Sequence, residues 1–92
     1  MSHKHRAVLE SIFHEPPKSN IQWREVESLL NHLGAVIEPG HGGRFRVELN
    51  RHEFFLHHPH HSNEFSKQSI KQLREFLADA GVTPSLYDAN HQ

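Results

Sequence analysis

Apolar residues recur along the chain at two different spacings, and the change from one to the other divides it into elements. Val8, Leu9, Ile12 and Phe13 fall at i, i+1, i+4 and i+5, the stripe of an amphipathic helix over residues 6–13. Pro16-Pro17 stops it, because proline neither donates a hydrogen bond nor continues the turn. Ser19 and Asn20 are capping types, and after them Trp23, Val26, Leu29, Leu30 and Leu33 return at helical spacing until Gly34, which suits the position past a helix end. The spacing then shortens to two. Residues 35–38 are a short run with β-branched Val36 and Ile37, closed by Pro39-Gly40. Next, Phe45, Val47 and Leu49 alternate with Arg44, Arg46, Glu48 and Asn50, predicting a half-buried antiparallel strand. Asn50-Arg51 reads as a tight turn, and residues 53–57 as a third strand with Phe54 and Leu56 on one face and Phe55 and His57 on the other. Beyond Pro59 and a polar loop, Ser66 caps a last helix whose buried stripe is Ile70, Leu73, Phe76, Leu77 and Ala80. Gly81 ends that helix, Pro84 marks the stop, and the residues after Leu86 read as a frayed tail.

The predicted order is α-β-β-β-α with one extra helix in front. That is an α+β two-layer sandwich: three meandering antiparallel strands with helices on one face. Residues 1–20 form the leading helix and a proline-containing linker, 21–83 the domain, and 84–92 a flexible tail. The other face of the sheet is expected to be open, carrying Arg44, Arg46 and the exit of the third strand. With 92 residues, 35% of them apolar, and a mean hydropathy of −0.72, the core must be thin. A surface groove or a partner-covered face fits such a domain better than a deep enclosed active site. The formal net charge of −1, spread evenly along the chain, argues against a grip on nucleic acid by charge alone. The absence of cysteine excludes disulfides, thiolate zinc ligands and a thiol nucleophile, and it fits a reducing cytoplasm. No signal-peptide core and no apolar run near the ~20 residues of a membrane span is found, so a cytoplasmic protein without membrane attachment is expected. An amphipathic leading helix on a small domain also admits a homodimer.

From Ile21 to Val82 the chain resembles the HicA toxin family, small RNA-cleaving toxins of bacterial and archaeal toxin–antitoxin pairs. The matching segments are Trp23-Arg24-Glu25-Val26-Glu27-Ser28-Leu29-Leu30 with Leu33-Gly34, the glycine turn with its arginine-rich strand, Phe55-Leu56-His57-His58-Pro59-His60, and the helix text from Ser69 to Val82. No single motif is unique; their order and spacing carry the resemblance. It implies a fold like that of double-stranded-RNA-binding domains, an mRNA interferase (endoribonuclease) activity, RNA as substrate, and a HicB-like antitoxin that covers the active face. Most members carry Gly-Ser-His in the turn before the second strand, and that histidine is regarded as catalytic. Here Gly42-Gly43-Arg44 stands in its place, and His41 lies three residues toward the N-terminus. Pro59-His60 matches the family's proline–histidine pair ahead of the final helix.

His41, His52, His57, His58, His60 and His61 account for six of the eleven histidines, and the imidazole is the side chain that gives and takes protons near neutrality. RNA cleavage without metal needs a base for the 2′-hydroxyl proton, an acid for the leaving 5′-oxygen, and a cation for the charge on phosphorus. His41 and His60 can be the acid–base pair, and Arg44, Arg46 and His58 the RNA contacts, if the glycine turn folds back toward the strand exit. Each has a plainer reading. His41 is a solvated turn residue, His60 a loop residue packed under or capping the last helix, and Arg44 and Arg46 a solvent-facing pair opposite Glu48. Of His57 and His58 one must face inward as a hydrogen-bonded core residue, while Trp23 and Phe76 sit in core stripes. His57, His58, His60 and His61 with His41 or Glu64 have the donor types of a metal site. Adjacent histidines on an extended chain point apart, however, and no helical His-x-x-x-His pair exists, so neither a specific metal site nor a cofactor is expected. Beside the enzyme reading stands a non-catalytic RNA- or protein-binding module of the same fold that has lost the catalytic histidine.

Overall fold

The inward side chains of the two longer strands set the architecture. A computed structural model describes residues 3–16, 20–59 and 64–90. Its elements are α1 (His3–Phe13), α2 (Trp23–His32), β1 (Val36–Pro39), a 3-10 turn (His41–Gly43), β2 (Arg44–Leu49), β3 (His52–His57), α3 (Lys67–Asp79) and α4 (Pro84–Asn90). The strands form one antiparallel sheet in the order β1-β2-β3. Alternation sends Val47, Leu49 and Leu56 into the core, with Phe45 and Phe54 half-buried beside them. Against them lie Trp23, Val26, Leu29 and Leu30 of α2 and Ile70, Leu73, Phe76 and Leu77 of α3. The α+β sandwich read from the sequence, three strands with helices on one face and an extra helix in front, is the observed fold. Among the described residues no charged side chain is buried, and no helix is long and apolar enough to cross a membrane.

Local chemistry fixes the element ends. Both α2 and α3 finish with the same pair of backbone bonds, Gly34 N–H to Asn31 O and Ala35 N–H to Leu30 O in the first, Gly81 N–H to Ala78 O and Val82 N–H to Leu77 O in the second. Because Ala35 spends its N–H there, β1 begins one residue later than the sequence suggests. Ser66 caps α3 as expected, its hydroxyl accepting from Ser69 N–H at 3.1 Å. The hairpin between β2 and β3 is a two-residue turn with Asn50 and Arg51 at φ 50° and 71°, and the Asn50 amide donates to Ala80 O at 2.7 Å, tying the hairpin to the end of α3.

Three ends differ from the sequence reading. The first is the start of α2, whose N-cap is Gln22 rather than Ser19 or Asn20. Asn20 sits at φ 68°, Ile21 is buried, and the Ile21 carbonyl accepts from Phe65 N–H at 3.0 Å. That pairing keeps the backbone extended up to Gln22, whose N–H then donates to Glu25 Oε1 at 2.9 Å. The second is the chain beyond Gly81. Pro84 does not mark a stop; it opens α4, at the first helical position where its missing N–H costs nothing. Thr83 accepts from Leu86 N–H through Oγ1 and from Tyr87 N–H through its carbonyl, and Tyr87 is buried at 5% exposure. Residues 84–90 are therefore helix and not a frayed tail. The third is α1, which packs on α2, α3 and α4 with Leu9 and Ile12 fully buried, so it belongs to the core. Arg6 forks onto Asp88, Nε to Oδ1 at 3.0 Å and Nη2 to Oδ2 at 2.8 Å, joining α1 to α4.

Leu9→Ala removes a fully buried side chain shared by these helices, and urea unfolding is expected to show a loss of about 2–5 kcal/mol. The hydrogen bond from Arg6 holds the Asp88 carboxyl below its ordinary value. A carboxyl depressed on folding stabilises above its unfolded pKa and loses that contribution as pH falls through the folded one. Stability is therefore expected to decline on acidification past the ordinary aspartate range, and Asp88→Asn should flatten that part of the profile in pH-stepped denaturation.

Candidate nucleic-acid interface

The register of the sheet orders its other face. Val36 pairs with Glu48 and Glu48 with Glu53; Glu38 pairs with Arg46 and Arg46 with Phe55; Arg44 pairs with His57. With Val47 and Leu56 turned to the helices, these residues point away from them. The face is in water: Val36 is 50% and Phe55 45% exposed, and Glu38, Arg44 and His57 are exposed too.

Its two arginines have different situations. Arg46 is surrounded by carboxylates, bonded to Glu53 through Nε, to Glu38 at 3.0 Å and to Glu48 at 3.3 Å. These bonds, Glu53's foremost, raise the guanidinium's already high pKa further. Arg44 has no carboxylate within ion-pair distance among the described residues; its guanidinium instead lies over the Phe55 ring, 4.6 Å from the centroid.

Beside Arg44 the glycine turn folds back onto the start of β2. Gly40 N–H donates to Arg44 O at 2.7 Å, and Gly42 and Gly43 take φ 65° and 74°, the left-handed region that side chains resist. The turn carries exposed His41 to the rim of an open groove of about 380 Å³, lined also by Glu38, Arg44, Arg46, Phe55 and the Pro39-Gly40 backbone. The exit of β3 joins it there, since His58 N–H donates to Gly43 O at 2.9 Å.

The structure thus brings His41, Arg44 and Arg46 to one groove. It takes His58 elsewhere: the ring turns to the helix side, 4.8 Å from the Trp23 ring and 6.5 Å from Phe45, and its Nδ1 donates to Pro59 O at 2.8 Å. His60 lies outside the described residues. On either side of it the chain is anchored near this end of the sheet, at His58 by Gly43 and at Phe65 by Ile21. Phe55 is not among the site residues expected from the sequence and His57 enters there only as a metal-donor type, although strict alternation from Phe54 and Leu56 already places both on the open face.

A larger cleft, about 530 Å³, lies between the start of α1 and α2. Its histidine is committed, with His5 Nε2 2.8 Å from Ser28 Oγ and its ring stacked on His32 at 4.4 Å. That cleft lies outside the sheet and is lined also by Lys4, Arg24 and Glu25. No group of three or more potential metal ligands is drawn together among the described residues.

The family model described as HicA toxin of bacterial toxin-antitoxin systems matches residues 23–82, from the first residue of α2 to just past α3. Searches of curated proteins and of solved structures return no match. The matched segment contains the open face, the groove and the glycine turn, while α1 and α4 lie outside it.

Arg46→Ala leaves Glu38, Glu48 and Glu53 facing one another. The melting temperature is expected to fall, and the fall to shrink as salt screens the repulsion, a dependence that thermal melts across a salt series will check.

Proposed function

The chain belongs to the HicA toxin family, and from that premise we propose that it is an mRNA interferase: an endoribonuclease of a toxin–antitoxin pair, acting in the cytoplasm, that lays RNA on the open face of its sheet. The observation that carries this reading is the uncovered groove at the glycine-turn end, where an exposed imidazole, an arginine with no carboxylate partner among the described residues and an exposed aromatic ring meet. An open groove suits an extended polymer and leaves its ends free.

Cleavage there follows from the groups present. The 2′-oxygen of one nucleotide attacks the adjacent phosphorus as a base removes its proton, the bond to the 5′-oxygen breaks, and an acid returns a proton to that oxygen. The products are a 2′,3′-cyclic phosphate and a 5′-hydroxyl, with no metal required by the balance. His41 and His60 are the loop imidazoles we assign to proton transfer, and Arg44 the cation that offsets charge building on the phosphate oxygens. Arg46 meets a phosphate with its charge already offset by three carboxylates, so its contribution to binding is small. A HicB-like antitoxin neutralises the toxin by covering the same face.

One observation favours a second reading, the non-catalytic binding module. Position 44, the first residue of β2, is an arginine, and the face sets Arg44 and Arg46 against Glu38, Glu48 and Glu53, too little positive charge for tight unspecific binding. Induced expression separates the two. The toxin arrests growth and shortens mRNA, and His41→Ala and His60→Ala abolish both effects while the protein still accumulates. A wild type that leaves growth and mRNA intact would assign the chain to the binding module.

A further inference from the structure

The imidazoles assigned above sit in loops or beyond the described residues, yet a third is fixed on the sheet itself. His57 is the last residue of β3 and the direct cross-strand partner of Arg44. Leu56 before it is buried at 2% exposure and His58 after it turns to the aromatic cluster under the sheet, so alternation holds the His57 side chain on the open face, where it is exposed. The backbone ladder runs one step beyond it, through the His58 N–H bond to Gly43 O, and this removes the fraying usual at a strand end. Among the described residues the ring has no hydrogen bond, ion pair or stacking partner, so it does no work for the fold.

Its neighbourhood is the informative part. Side chains directly opposite on paired strands start about 5 Å apart, and the Arg44 guanidinium is held in place over Phe55, two residues before His57 on the same face. A phosphodiester resting on Arg44 would lie beside the strand position that carries this imidazole. The strand also fixes the backbone from which this imidazole springs, which a loop does less well.

We propose that His57 is a catalytic residue of this site, the base that takes the 2′-hydroxyl proton of the nucleotide whose phosphate lies on Arg44. The 2′-oxygen then bonds to phosphorus, the phosphorus–5′-oxygen bond breaks, and a loop imidazole protonates the departing 5′-oxygen, so that the proton held by His57 is balanced by the one released. This rests on the endoribonuclease reading and refines it: His57 takes the base's role, and the loop imidazoles are left to the side of the departing 5′-oxygen.

The test uses the purified full chain, an unstructured RNA, and the same RNA with 2′-O-methyl groups, which binds but cannot be cut. Wild type, His57→Ala, His57→Gln and His52→Ala are compared for cleavage rate, binding to the methylated RNA and melting temperature; His52 begins the same strand at its far end. The expected result is a loss of ~100-fold or more in rate for both His57 variants, unchanged binding and melting, partial recovery of His57→Ala by free imidazole, and wild-type behaviour of His52→Ala. Cleavage by the His57 variants at the wild-type rate would overturn the assignment and leave the endoribonuclease reading standing. Loss of binding in step with loss of rate would make His57 a contact rather than a base. A wild type that binds but never cuts would overturn the endoribonuclease reading and this proposal together.

Discussion

Because successive side chains of a strand point to opposite sides, burying Val47, Leu49 and Leu56 against α2 and α3 obliges Arg44, Arg46, Glu48, Phe55 and His57 to face water. That one-sided burial is the constraint on which the molecule rests. A sheet of three short strands cannot bury both faces in a chain of 92 residues without more helix than it has. The outward arginines, carboxylates and imidazole of β2 and β3 are consequently gathered on one surface, in rows fixed by hydrogen-bond register rather than by loop conformation. A register slip of one residue would bring the charged row into the core, so the same pattern that stabilises the fold also protects the site's geometry.

The surface so formed is electrostatically frugal. Arg46 serves chiefly to hold Glu38, Glu48 and Glu53 at close quarters, and each of these pairs is exposed and individually weak. Arg44 is left as the cation of the groove, held by an aromatic ring instead of a carboxylate. Recognition on this face therefore depends on local placement of one cation, one ring and nearby imidazoles, and little on a long-range field. A protein docked on this face would meet both signs of charge in a set pattern, which favours specific pairing over strong nonspecific adhesion.

The fold was legible where local periodicity coincides with burial. Strict alternation in residues 44–57 gave both long strands and the correct inward face, and the stripe from Ile70 to Ala80 gave the last large helix. What escaped notice depended on distant partners. Gln22 starts α2 because residues near 64 pair with Ile21 and Gln22, and nothing within the segment announces that. Pro84 is ambiguous in isolation, since proline both ends helices and opens them; the buried side of Tyr87 and the Arg6 fork onto Asp88 decide for opening. At the site, the sequence showed that His41 and Arg44 share a glycine turn. The three carboxylates around Arg46 come from three strands and become visible only with the register.

The fork between Arg6 and Asp88 joins residues 82 positions apart in the chain. Leu9 and Ile12 are fully buried on a helix that packs against α2, α3 and α4, elements spread over the whole length of the chain. The contacts of α1 with α3 and α4 thus span large sequence separations. The apolar stripe of α1 is therefore covered only where both ends of the chain meet, so closing the molecule and joining its termini are one and the same packing event.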